Sequence, residues 1–114
     1  MNQEELKQSA GILALARVRN QAIDGLPDGF RPADVAEAYR VQEQLHELLD
    51  EAGYGKRVGY KIGCTTDVMQ KFLGIDNPCT GAIYNTAINY IAVSAQFDNF
   101  AHPGVECEIA AFIG

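Results

Sequence analysis

The feature that most constrains this chain is a change of character at Gly53: two helix-period segments precede it, and glycine, β-branched residues and turn formers follow it. From about Gln3 to Gln21, Leu6, Ala10, Leu13, Ala16 or Arg17 and Asn20 recur at helical spacing, while Ile12, Leu15 and Val18 widen the apolar face. Asp24-Gly25-Leu26-Pro27-Asp28-Gly29 concentrates turn formers and stops that helix. A second helix is predicted to open with Pro32 in its first turn and Asp34 close behind, both suited to a helix N-terminus. Val35, Ala38, Val41, Leu45, Leu48 and Leu49 form its expected buried stripe, and Gly53 its stop. Two antiparallel helices joined by a tight loop are the simplest arrangement.

Beyond Gly53 the period shortens to that of a strand. Arg57-Val58-Gly59-Tyr60-Lys61-Ile62-Gly63 sends Val58, Tyr60 and Ile62 one way and Gly59, Lys61 and Gly63 the other. Lys61 therefore sits between two residues without side chains. That is open space beside an ammonium group, as an approaching ligand requires, or else a surface strand with an exposed lysine. Thr65 or Thr66 can cap a short helix through about Phe72, which Gly74 ends. Ile75-Asp76-Asn77-Pro78-Cys79-Thr80-Gly81 reads as a loop, and Ala82 to Tyr84, Ile88 to Val93 and Gln96 to Phe100 as short strands. Helices first and strands afterwards predict an α+β fold: a helical hairpin over 1–53, then short, mainly antiparallel or mixed strands over 54–114, as one domain or a fragment. No internal repeat and no phosphate-cradling glycine motif occurs, which argues against a dinucleotide fold.

The last stretch, Pro103 to Gly114, holds the sharpest chemical signal. Glu106 and Glu108 lie two apart in an apolar, β-prone run, so a strand would point both carboxylates to one face, about 7 Å apart. Like charges so placed call for a cation, a proton or a hydrogen-bond donor between them, a hard divalent metal being the sharpest candidate. An edge strand with both acids facing water is the plainer alternative. The 114 residues, 47% hydrophobic and 21% charged, fit an ordinary globular protein, and a net charge of −6 argues against a general nucleic-acid or membrane-surface binder. Cys64, Cys79 and Cys107 are odd in number and lack metal-pairing spacing, which suits a reduced, cytoplasmic setting. Glu4 and Glu5 do not suit a secretory or mitochondrial leader, and the uncharged run from Asn77 to Phe97 is too rich in Asn, Thr, Ser, Gln, Pro and Gly for a membrane span.

Taken together, these segments carry a resemblance. Gly59-Tyr60-Lys61-Ile62-Gly63-Cys64-Thr65-Thr66, Met69-Gln70 with Leu73-Gly74-Ile75, Asn77-Pro78 with Gly81, and Gly104-Val105-Glu106-Cys107-Glu108-Ile109-Ala110 are similar, in collinear order, to the 2-keto-4-pentenoate hydratase branch of the fumarylacetoacetate hydrolase superfamily. The helical run Ala38-Tyr39-Arg40-Val41-Gln42 fits the same branch.

The resemblance implies a fumarylacetoacetate hydrolase-like β-fold, a homo-oligomer, and hydration of a 2-hydroxypenta-2,4-dienoate-like acid. Decarboxylation of a 4-oxalocrotonate-like acid is the close alternative, and a truncated, non-catalytic assembly or interaction domain is another. It also implies Mg²⁺ or Mn²⁺ held by Glu106 and Glu108, with Lys61 as an active-site lysine and a third acid supplied beyond Gly114, so that the chain is expected to be an N-terminal half. Cys79 stands where some members carry an acid that assists proton transfer; a thiol can donate or accept a proton there, or be a small packed side chain. His102 and His46 read as a loop and a structural histidine, and Tyr39, Tyr60, Arg40 and Arg57 as packing and surface residues, with Arg40 or Arg57 able to reach a substrate carboxylate.

Overall fold

The computed structural model describes all 114 residues. Helix α1 spans Gln3–Val18 and α2 spans Val35–Leu49, followed by a π-helical turn, Asp50–Tyr54. Strand β1 is Arg57–Gly63, helix α3 is Asp67–Leu73 and strand β2 is Cys79–Tyr84; 3₁₀ turns at Asn85–Ala87 and Phe97–Asn99 follow. The two strands form one antiparallel sheet, which makes the architecture α+β.

The helix starts are set by side-chain caps. Asn2 accepts from the Glu5 backbone N–H while the Glu5 carboxylate accepts from the Asn2 N–H, a reciprocal capping box. Asp34 caps α2 through the Glu37 N–H, so the helix opens after Asp34 and Pro32 lies outside it. Thr66 caps α3 and left-handed Gly74 ends it, as the sequence indicates.

The link between α1 and α2 is longer than the expected tight loop. It runs from Arg19 to Asp34 and is tied back to α1 by the buried Ser9, whose hydroxyl lies 2.9 Å from Glu5 O and 2.8 Å from Phe30 O. A hydroxyl has a single proton, so these two carbonyls share one donor. The core is where the helices meet. Leu6, Ala10 and Val41 form its buried centre, with Met1, Leu13, Leu45 and Leu48 packed around them. Ala10, Ala14, Ala16 and Ser9 keep the buried face of α1 low, which lets α2 approach closely. The α2 stripe is shorter than its period suggests: Val35 and Ala38 are exposed because no element covers its first turn. Only eight of the 114 residues are buried, so stability rests on this thin helix–helix seam.

Helix α2 also carries the sheet. Tyr39 Oη accepts from the Thr80 N–H at 3.1 Å and Gln42 Nε2 donates to the Thr80 carbonyl at 3.0 Å. Residues 39 and 42 are three apart on one helix face, so they meet both backbone groups of one β2 residue as a neighbouring strand would. At the far end Tyr84 is buried against His46 and Tyr54, with ring centroids 6.0 and 6.5 Å away. Arg57 joins β1 to α2 by donating to Glu43 Oε1 at 2.7 Å and to His46 Nδ1 at 3.1 Å.

The expected strands at Ile88–Val93, Gln96–Phe100 and Pro103–Gly114 do not form; a 3₁₀ turn occupies Phe97–Asn99, and no backbone–backbone hydrogen bond reaches past Phe100. The reason is physical: a strand is completed by its partner's ladder, and no third strand is offered to these residues.

Two outcomes follow from this frame. Leu6→Ala should lower the urea-unfolding free energy by about 2 kcal/mol or more, whereas Val35→Ala at its exposed site should change it by less than about 0.5 kcal/mol. Burial, followed by the positive charges of Arg57 and Arg17, holds the His46 imidazole below its ordinary value despite the opposing pull of Glu43. The unfolded state then takes up the proton first, so the stabilising contribution of neutral His46 is present above about pH 6.5 and is lost as pH falls below it. The fall in melting temperature from about pH 7 to about pH 5 should be smaller in His46→Gln than in the parent chain; an equal fall would remove His46 from that account.

Candidate functional site

The site begins with the register of the hairpin. Gly59 pairs with Ile83, Lys61 with Gly81 and Gly63 with Cys79. Directly opposed residues share a sheet face, so Lys61 has glycine on both sides along its own strand and glycine across from it. A Cβ added at Gly63 or Gly81 would meet nothing within 4 Å. The lysine therefore rises from a bare floor, edged by Ile83 at one end and Cys79 at the other.

Onto this lysine fold the two acids from the distant end of the chain. Lys61 Nζ donates to Glu108 Oε2 at 2.6 Å and reaches Glu106 Oε2 at 3.4 Å. The three sequence-predicted residues are thus brought together, but not by the route expected. Glu106 and Glu108 sit on backbone without a ladder, and the shared ammonium draws both carboxylates to one point. The hydrogen bond to Glu108, with a smaller contribution from Glu106, holds Lys61 above the ordinary lysine range against partial desolvation. Lys61 is therefore a firmly protonated donor here. The cluster is open, with the Lys61 side chain 48% exposed, so solvent and salt screen its ion pairs.

The donor set suits a hard cation in kind. Two carboxylates converge on a position that already holds positive charge, and Mg²⁺ or Mn²⁺ prefers such oxygens. Two acids fill only part of a six-oxygen shell, leaving the rest to water, substrate or further ligands. No third His, Cys, Asp or Glu joins them in a metal-binding group.

Cys79 faces the same side of the sheet as Lys61, one diagonal step away, about 7 Å in an antiparallel pair. Its neighbour is Cys64, which follows β1 with a left-handed backbone, φ 57°. The Gln70 amide holds this turn by donating to the Cys64 carbonyl at 2.9 Å. Burial first, and then the adjacent Cys79 thiol, push the Cys64 thiol above its ordinary value. Cys107 is exposed on the tail between the two acids.

The remaining candidates lie elsewhere. His102 lines a separate cleft with Arg17, Asn20 and Tyr54, and His46 is engaged by Arg57. Arg57 is committed to Glu43 and Arg40 reaches the Met1 carbonyl at 3.4 Å, so neither guanidinium is directed to Lys61. Sequence reasoning missed Tyr39 and Gln42, which hold the hairpin from behind. Their i, i+3 spacing was the available signal, but nothing in sequence marks a backbone group as their partner.

A glycine-framed lysine met by a Glu-x-Glu pair on an α+β frame defines a candidate small-molecule site of charged and hard-oxygen character. The chain is 30% identical over its full length to a 2-keto-4-pentenoate hydratase of Paraburkholderia xenovorans, of which it covers 42%. It is 32% identical over 89% of its length to the 2-keto-4-pentenoate hydratase of Burkholderia vietnamiensis, covering 38% of it, and 34% identical over 93% of its length to 2-keto-4-pentenoate hydratase 1 of Dechloromonas aromatica, covering 40%. The chain is thus similar along nearly its whole length to proteins named 2-keto-4-pentenoate hydratases, and it spans about two fifths of the length of these curated relatives. No family model and no solved structure matches it.

The bridge makes a graded prediction. Glu108→Gln should lower the Lys61 ammonium's proton affinity toward the ordinary lysine value, and Glu106→Gln should do so less, when the Nζ resonance is titrated by NMR. Equal and negligible shifts in both variants would mean that the tail does not engage Lys61 in solution.

Proposed function

We propose that Lys61, Glu106 and Glu108 form part of a hydratase-type lyase site that adds water to a 2-hydroxypenta-2,4-dienoate-like acid, giving a 4-hydroxy-2-keto acid. The observation that carries this reading is the convergence of both carboxylates on Lys61 Nζ across 45 and 47 residues of sequence. Similarity along the whole chain to proteins named as hydratases supports it.

Glu106 and Glu108 would hold Mg²⁺ or Mn²⁺, which when bound supplies Lewis-acid stabilisation of developing oxyanion charge. Lys61 would donate to the substrate carboxylate or its 2-oxygen, or shuttle a proton there. The bare floor of Gly63 and Gly81 gives a planar dienoic acid room to lie beside the ammonium. Cys79, at the end of that floor, would exchange a proton with the substrate. A homo-oligomeric assembly belongs to the same proposal.

A second reading is an assembly domain without catalysis of its own. It is favoured by apolar side chains left in the open: Tyr60 on β1, Phe72 on α3 and Ile109 on the tail are 67%, 80% and 101% exposed.

Two measurements separate these readings. Mn²⁺ titration followed by water-proton relaxation should show binding that weakens at least about tenfold in Glu106→Gln or Glu108→Gln, a loss of about 1.4 kcal/mol or more. Binding unchanged in both variants would remove the acids from the metal role. Ultraviolet loss of the dienol with Mg²⁺ present should then depend on Lys61 and fall at least tenfold in Lys61→Ala, about 1.4 kcal/mol in the barrier. Metal binding without turnover would leave the assembly reading standing.

A further inference from the structure

Cys64 and Cys79 sit where the connection through α3 leaves β1 and enters β2, and have no part in the backbone ladder beyond the Gly63–Cys79 pair. Cys64 is one residue past the partner of Cys79. In a regular strand its side chain would point to the opposite face, out of reach. The left-handed backbone at Cys64 breaks that alternation, and the Cys79 thiol lies near enough to raise the Cys64 thiol after burial has done so. Antiparallel spacing and a one-residue offset put the two Cα atoms about 6 Å apart, within the span that a disulfide accepts. Both thiols are free and half-buried, and the third, Cys107, is exposed on the tail. A left-handed φ on a residue other than glycine is costly and is retained here by the Gln70 hydrogen bond, so the juxtaposition is specified by the fold.

We propose that Cys64 and Cys79 are a reversible thiol–disulfide pair, a modification site that hydroperoxides oxidise and thiols reduce, at the edge of the Lys61 floor. Peroxide oxygen is transferred to one thiol to give a sulfenic acid, the peroxide leaving as water. The second thiol displaces hydroxide from that sulfur, which takes the thiol proton and departs as a second water as the S–S bond forms. Hydrogen peroxide is the oxidant, and it is reduced by the two electrons the thiols give up. Either thiol can take the first oxygen and the other then resolves it, since both are half-buried and free. The linkage ties the end of β1 to the start of β2. This inference does not depend on the hydratase reading, since the bond can be measured without substrate or metal.

Cleavage after Lys61 and Lys71 separates Cys64 from Cys79, but leaves Cys79 and Cys107 on one peptide, so the test uses the Cys107→Ser protein. After hydrogen peroxide treatment its intact mass should fall by two hydrogen atoms, and the unreduced tryptic digest should contain peptides 62–71 and 72–114 joined. Dithiothreitol should restore both thiols to a mass-tagged alkylating reagent. In Cys64→Ser/Cys107→Ser the mass loss should vanish and oxygen adducts on Cys79 should replace it. Oxygen adducts without linkage in Cys107→Ser, or a link formed only between two chains, would overturn the proposal.

Discussion

The structure depends on how one backbone position is met. A two-stranded hairpin has two open edges and little apolar area of its own, and alone it is marginal in water. Here Thr80 offers its N–H and its carbonyl outward from β2, and Tyr39 and Gln42 of α2 take both. Each bond is solvent-exposed and individually modest. Together they fix the distance and rotation of the sheet against the helix, and Tyr84 and Arg57 secure its other end. The Lys61 floor is therefore oriented by the same helix whose other face closes the core with α1.

How much of this was legible follows from where each signal is stored. Caps, helix periods and the Gly-Lys-Gly alternation are local, so α1, α2, α3 and β1 could be read with ends close to those observed. The antiparallel partner of β1 was partly visible: its second half was read as strand, but its first residues were assigned to a loop because Asn77-Pro78 and Gly81 are turn formers. Pairing with β1 overrides that propensity from Cys79 onward. The link from Arg19 to Asp34 could not be judged tight or long without knowing that Ser9 would hold Phe30.

The acidic tail shows the opposite case, a correct grouping reached through an incorrect premise. Period two placed Glu106 and Glu108 on one side of a strand, and no strand is there. Their carboxylates nonetheless meet at one atom, because opposite charge selects that arrangement from any backbone flexible enough to permit it. A pattern of residue types can therefore announce where side chains meet even when the secondary structure inferred from it does not exist. The cross-strand Gly81, which opens the floor from the far side, had no such announcement in the chain and became visible only through register.

The absence of backbone hydrogen bonds past Phe100 has a thermodynamic consequence for the site. Ligands mounted on a ladder are ordered before a cation arrives; ligands on this tail would be ordered together with it, at about 1–2 kcal/mol for each backbone residue newly fixed. In the proposed metal role, cation affinity would thus reflect chain entropy as much as carboxylate number. Any surface that lends residues 101–114 a ladder would tighten the binding without adding one ligand atom.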